Sequence, residues 1–295
     1  VAFTPFSIPF VLMTRFPESK ALCAAHATSF FLASQLLPPP QRDAAYAIYG
    51  FCRHADNLVD NANESGKRES DILHLRNQLS DAWNGQKTIP LVDAFVETCH
   101  EYGISQKWGF DLLHGLSADL EKKTYATFDE LYYYCYHVAS IPGILIAHIG
   151  GAPPHAYAYA EALGIGMQLT NIIRDAREDA QMGRIYFPHD ELREFEVNES
   201  QLLAGEINEP LRAFLAFQVA RARKYYDEAQ KGMNYLPVPA RTALELCAVF
   251  YRAILDEVEK RDYDIFTQRV TVSPDEKERL LNNALHGTPL PPHLA

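Results

Sequence analysis

Apolar residues recur every three or four positions along most of the chain, and the strict alternation that marks a strand is almost absent. This period predicts helices over about 20–36 and Asp43–Asp60. It predicts more near 69–84, 91–102, 106–121, 128–149, 155–181, 207–234, 238–264 and 274–285. Pro38-Pro39-Pro40 should end the first, because proline lacks the amide a helix interior needs. Asn61 to Gly66 reads as a polar turn. Thr127-x-x-Glu130 and Ser273-Pro274-Asp275-Glu276 carry capping-box patterns, the second with proline at the first helical position. Pro142 falls inside a helical stretch and is expected to kink or break it. No repeat, low-complexity tract or long linker divides residues 1–295, so the pattern reads as a single all-α domain.

Charge narrows the function. A net charge of −11 argues against a nucleic-acid partner, since polyanion affinity rests on clustered Lys and Arg. It leaves room for an anionic substrate, because carboxylates hold diphosphate through a divalent metal. The five cysteines are scattered and form no CxxC pair, which suggests neither a disulfide framework nor a zinc site. An intracellular, cytoplasmic protein is the simplest reading. Asn63-Glu64-Ser65 and Asn198-Glu199-Ser200 match the glycosylation pattern but stand without a secretion signal. Val1 to Met13 is apolar yet too short to span a bilayer, and no later run reaches the necessary length. A soluble protein, at most peripheral to a membrane, is expected. A chain that starts at Val1 leaves open a removed targeting segment.

The candidate chemistry lies in two acidic segments written into helices. One is Arg53-His54-Ala55-Asp56-Asn57-Leu58-Val59-Asp60, and the other runs from Gln168 to Asp179. Asp56 and Asp60 are four apart, as are Asn171, Asp175 and Asp179 in turn, with Gln168 a turn earlier. Residues four apart return to nearly the same helix face, so each segment offers a ladder of oxygen ligands. A lone Asp pair at this spacing is ordinarily a solvated surface. Here Leu58, Val59, Leu169, Ile172 and Ile173 crowd the acids, and the arrangement occurs twice. Buried carboxylates need partners. Facing ladders suit Mg2+, which proteins hold by one or two carboxylates with substrate phosphate completing the shell. Arg53, Arg174 and Arg184 stand beside the acids, where guanidinium groups clamp phosphate oxygens or pair with the aspartates.

These segments resemble the aspartate-rich signatures of the squalene/phytoene synthase family. The second motif is followed by Gly183-Arg184-Ile185-Tyr186-Phe187-Pro188, as in that family. His26 to Phe30, Ala47 to Arg53, Tyr134 to Ala139 and Tyr251 to Asp256 match other family segments in order, over about residues 20–270. The pattern is most like that of its bacterial phytoene-forming members. The resemblance implies an isoprenoid (prenyl) synthase helical bundle with a central cavity. It implies Asp56, Asp60, Asn171, Asp175 and Asp179 as ligands of two or three Mg2+ ions, with Mn2+ as a substitute. Ser29, Arg53, Gln168, Arg174 and Tyr251 would contact diphosphate or the reacting head groups, with Tyr134 near them. Arg184 and Tyr186 would lie on a closing flap. Three departures stand out: Asn57 where many members have Asp, Ala27 for a serine, and Ser140-Ile141-Pro142-Gly143 for a Gly-Thr-Val-Gly run.

The implied reaction joins two prenyl diphosphates head to head through a cyclopropyl intermediate. The site must shield an allylic cation from water, and aromatic faces can stabilise it. Phe30, Phe31, Tyr46, Tyr49, Phe51 and Tyr132-Tyr133-Tyr134 are candidates for that role. Two geranylgeranyl diphosphates would give phytoene. Two farnesyl diphosphates would give presqualene diphosphate, squalene or dehydrosqualene, with NADPH needed only for squalene. The small Ser34, one turn from Phe30, suggests a tail pocket deep enough for a C20 chain. Two rivals come from other classes. A di-metal carboxylate bundle needs two Glu-x-x-His pairs, and only Glu97-Thr98-Cys99-His100 is present. A non-catalytic helical scaffold would be separated by a turnover assay. The oligomeric state is open.

Overall fold

The computed structural model describes residues 14–60, 65–119 and 124–286 of the chain. The apolar stretch through Met13, residues 61–64 of the expected turn with Asn63, and the side chain of Asp60 lie outside the described residues.

The helices follow the apolar period closely. They are α1 (Pro17–His26), α2 (Thr28–Ser34), α3 (Pro39–Asp60), α4 (Ser65–Trp83), α5 (Pro90–Tyr102), α6 (Lys107–Asp119) and α7 (Phe128–Cys135). A π turn, Tyr136–Ser140, joins α7 to α8 (Ile141–Ile149). The remainder are α9 (Tyr157–Gln181), α10 (His189–Glu194), α11 (Glu199–Ala204), α12 (Glu209–Gly232), α13 (Val238–Lys260) and α14 (Pro274–His286). Among the described residues there is no strand, only an isolated parallel bridge between Thr124 and Ile185.

α9 packs against α8, α12 and α13, while α3 packs against α1, α5 and α8. Ile165, Leu169, Ile172, Ile173, Ala176 and Ala180 form the buried stripe of α9. Ala44, Ala45, Ile48, Phe51, Cys52, Ala55 and Val59 do the same for α3. Full burial of one large aliphatic or aromatic side chain is worth roughly 1.5–3 kcal/mol, so these stripes fix both helices firmly. α1 comes so near α3 at Gly50 that a Cβ there would lie 2.8 Å from Ser19 Oγ.

Several expectations change. The predicted first helix is two, because Ala27 leaves the helical region with φ −133° and ψ 61°. The proline run does not merely end a helix. Pro39 and Pro40 open α3, where the first amides have no intrahelical partner to lose. Pro142 neither breaks nor ends the helical run. The π turn immediately before it absorbs the irregularity, and Pro142 sits in the first turn of α8. The forward half of each capping box forms: Thr127 Oγ1 accepts from Glu130 N at 3.4 Å and Ser273 Oγ from Glu276 N at 3.2 Å. Glu130, however, reaches back to Ala126 N rather than to the cap residue itself. Asn198 spends its side chain capping α11. No helix among the described residues is long and apolar enough to cross a membrane.

Candidate active site

The break at Ala27 turns His26, Thr28 and Ser29 toward a cavity of about 660 Å3. α3 brings Arg53 and Asp56 to it, and α9 brings Gln168, Asn171, Arg174, Asp175 and Asp179. Tyr134 enters from α7, Tyr251 from α13, and Arg184 with Tyr186 from the segment after α9. Every metal-ligand, diphosphate-contact and flap candidate named from the sequence lines this cavity except Asp60, whose side chain lies outside the described residues. Val59, Leu116, Val138, Ile172, Phe250 and Ile254 supply an apolar share of the wall. One space thus combines carboxylates, guanidinium groups and hydrocarbon.

Charge is concentrated on Asp175. Arg174 grips it with Nε at 2.8 Å and Nη2 at 2.6 Å, and Arg269 Nη2 lies 2.6 Å away. Arg269 also reaches within 3.9 Å of Glu178. Burial works against the charge on Arg174, but the bonds to Asp175 outweigh it and hold the guanidinium pKa above its usual value. Lys277 moves the other way: burial, helped by the positive Arg174, lowers its pKa. Burial also raises the Tyr251 phenol, with Arg174 opposing the shift. Asn171 Nδ2 donates to Gln168 Oε1 at 3.4 Å. Asn171 Oδ1 and Arg53 Nε are buried without a hydrogen-bond partner, which normally costs about 1–3 kcal/mol each.

These two atoms suit a cation and an anion respectively. An amide oxygen beside Asp56, Asp175 and Asp179 is a hard-oxygen donor set suited to a divalent cation, and Arg53 is suited to an anion. Among the described residues no three His, Cys, Asp or Glu side chains cluster tightly enough to enclose a metal alone.

The segment after α9 turns at Gly183, with φ +75°, and runs back across the cavity wall. Arg184 Nη1 and Tyr134 Oη each lie 3.4 Å from Tyr186 Oη. The Tyr134 and Tyr186 rings stack at 5.2 Å.

The aromatic expectations need correction. Of the rings named from the sequence, Tyr49 and Tyr134 line the cavity. Phe51 instead stacks on Phe95 at 4.2 Å in the core, and Tyr132 bonds Glu161. Phe30 stacks on Tyr49, and Phe31 on Tyr46, each at 5.7 Å. Ser34 does not open onto the cavity either. It is buried, donates to Phe31 O at 2.7 Å, and has Tyr46 Oη 3.4 Å away. Its small size is answered by that tyrosine, and it forms no part of the cavity lining. In the lone Glu-x-x-His pair, Glu97 is tied to Arg15 and His100 packs edge-on against Trp83. Sequence reasoning missed Arg269, Lys277 and Phe250. Arg269 follows α13 in a stretch without apolar period, and Lys277 lies in the first turn of α14, where its only signal is cationic charge on a late helix.

A cavity with acids and arginines on one share of its wall and hydrocarbon on another defines a helical enzyme for phosphate-headed, apolar-tailed substrates. The squalene/phytoene synthase family model matches residues 23–276. Phytoene synthase 1, chloroplastic, of Solanum lycopersicum is 38% identical over 96% of this chain and 70% of its own length. Phytoene synthase 2, chloroplastic, of the same plant is also 38% identical, over 96% of this chain and 93% of its own. Among solved structures, a dehydrosqualene synthase in complex with ligand superposes with a TM-score of 0.85 at 30% identity, covering 92% of this chain and 95% of that one. Squalene synthase HpnC from Alicyclobacillus acidocaldarius gives 0.77 at 26% identity, covering 84% and 94%. The chain belongs to the squalene/phytoene synthase family, and it is a prenyltransferase.

Proposed function

We propose that the protein condenses two geranylgeranyl diphosphates head to head into phytoene, with Mg2+ as the required metal. The observation that carries this reading is the single cavity in which Asp56 of α3 meets Asn171, Asp175 and Asp179 of α9, beside an apolar wall. The choice of the C20 substrate rests on the two tomato relatives, both phytoene synthases, and no longer on Ser34.

Asp56, Asp60, Asn171, Asp175 and Asp179 would hold the metal, whose charge offsets that of the leaving diphosphate. Arg53, Arg174 and Arg184 would clamp phosphate oxygens, and Ser29 and Gln168 would orient them. Breaking the C1–O bond of the first substrate leaves an allylic cation and free diphosphate. The double bond of the second substrate attacks that carbon, and loss of a proton closes a cyclopropane. A second ionisation, rearrangement and proton loss then give the linear hydrocarbon, with two diphosphates released in all. Tyr134, Tyr186 and Tyr251 would present ring faces or phenols to the cationic stages. Val138, Ile172, Phe250 and Ile254 would hold the tails and keep water out. An apolar product would favour peripheral contact with a membrane, and this route needs no NADPH.

The test is incubation of the pure protein with C20 or C15 diphosphate and Mg2+, with and without NADPH. Phytoene from the C20 substrate without NADPH is the expected result. Squalene from the C15 substrate, formed only with NADPH, would replace this reading.

A further inference from the structure

Behind the cavity wall stands a third tyrosine that does not itself reach the cavity. Tyr125 is 2% exposed and is absent from the lining. Its ring lies 5.7 Å from Tyr186 at an interplanar angle of 21°, and 5.7 Å from Tyr134 at 42°. With the 5.2 Å stack of Tyr134 on Tyr186, the three rings form a closed triangle. Such pairs add about 0.5–1.5 kcal/mol each beyond simple burial, and they fix ring orientation.

The backbone around Tyr125 is tied to the same flap. Thr124 bridges Ile185, Tyr125 O accepts from His189 N at 2.9 Å, and Ala126 O accepts from Asp190 N at 3.2 Å. The flap residues Ile185, Tyr186 and Phe187 are all buried, so the flap is packed down. Arg184, which lines the cavity, sits on this flap and contacts Tyr186. The run 124–126 and Tyr134 of α7 therefore both hold the flap, with the Tyr125 ring packed against Tyr134 and Tyr186 together.

We propose that Tyr125 is a positioning residue: its ring sets Tyr134 and Tyr186, and through them the flap carrying Arg184, so that the cavity stays closed to water during turnover. The proposal rests on the condensation reading above. A misplacement of about 1 Å near a reacting centre can cost on the order of 100-fold in rate. A loosened flap has a second effect. After the C1–O bond of the diphosphate breaks, water can bond to that carbon and lose a proton, giving a prenyl alcohol in place of the condensed product.

Tyr125→Leu and Tyr125→Phe separate this role from simple stability, and Tyr125→Met, a flexible space-filler, serves if the leucine variant does not fold. Expected for Leu or Met is turnover down roughly 10- to 100-fold, with a clear rise in prenyl alcohol per condensed product. Tyr125→Phe should restore both values to within a few-fold of the parent. Amide hydrogen exchange supplies a readout independent of turnover: residues 183–187 should exchange faster in the Leu variant, while α4 stays unchanged. Unaltered product partition and flap exchange in a folded Leu or Met variant would overturn the proposal. So would a Phe variant as defective as Leu, since the hydroxyl and not the ring would then matter. If the parent makes no condensed product but flap exchange responds as stated, the functional reading fails and the positioning role stands.

Discussion

Arg269 Nη2 lies 2.6 Å from Asp175 Oδ1, on a carboxylate that Arg174 already grips through two nitrogens. Arg269 is shared with Glu178, 3.9 Å away, so the two guanidinium groups and the two carboxylates balance one another. An incoming diphosphate competes for the arginines, and the Asp175 carboxylate becomes available to a metal once an arginine turns to phosphate. Arg269→Gln is therefore expected to raise KM for the prenyl diphosphate about tenfold, the worth of roughly 1.4 kcal/mol, with a smaller change in kcat. Steady-state kinetics would show it, and an unchanged KM would remove Arg269 from the substrate site.

Asp175→Asn keeps the shape and removes the charge. The fold should survive, since α9 is held by its apolar stripe, while turnover should drop by about 100-fold or more. Circular dichroism and an activity assay decide this together. Activity within a few-fold of the parent would show that Asp175 is not a ligand. Asn57→Asp is expected to be tolerated, because Asn57 does not line the cavity.

Chelation should act on turnover before it acts on the fold. EDTA is expected to abolish product formation and Mg2+ to restore it, with the helical signal unchanged, since the core of α3 and α9 is apolar. Full turnover in chelator would sink the metal assignment.

Ser34→Phe is expected to act on stability and not on tail length. The serine is buried against Tyr46 and bonded to the Phe31 carbonyl, so a phenyl ring there overpacks the core. A loss of about 1–3 kcal/mol, seen as a lower melting temperature, is expected with little change in the C20/C15 ratio. A clean shift toward C15 in a stable variant would contradict this.

At Gly164 an added Cβ would meet Ala139 O and Ser140 Cα, both at 2.6 Å. These are backbone atoms of the π turn and cannot swing aside. Gly164→Ala should cost on the order of 1–3 kcal/mol, measurable by urea denaturation.

The acidic motifs were legible because chemistry and period coincide there: oxygen ligands four apart on helices whose other face is apolar. What escaped was set by tertiary context. Arg269 reaches the cavity from an irregular stretch, where no period says which way a side chain points, and Lys277 does so from the first turn of α14, whose packing partner the sequence does not show. α10 and α11 are six residues each, too short to show a repeat. The break at Ala27 has no glycine or proline to announce it. Ser34 looked like open space because its size was visible in the sequence and its neighbour Tyr46 was not.

The π turn also changes how the helical run from Phe128 to Ile149 counts its residues. One buried row runs Leu131, Cys135, Ser140, Ile144 at intervals of four, five and four, with His137 buried beside it. One surplus residue is looped out within a single turn, and the core-facing stripe resumes in phase on the far side. Chain length at this point is thus adjustable by one: removing a residue between Cys135 and Ser140 would leave a plain α-helix with both buried stripes still in place. The same deletion anywhere in α8 or α9 would rotate everything beyond it by about 100° and turn core residues to solvent.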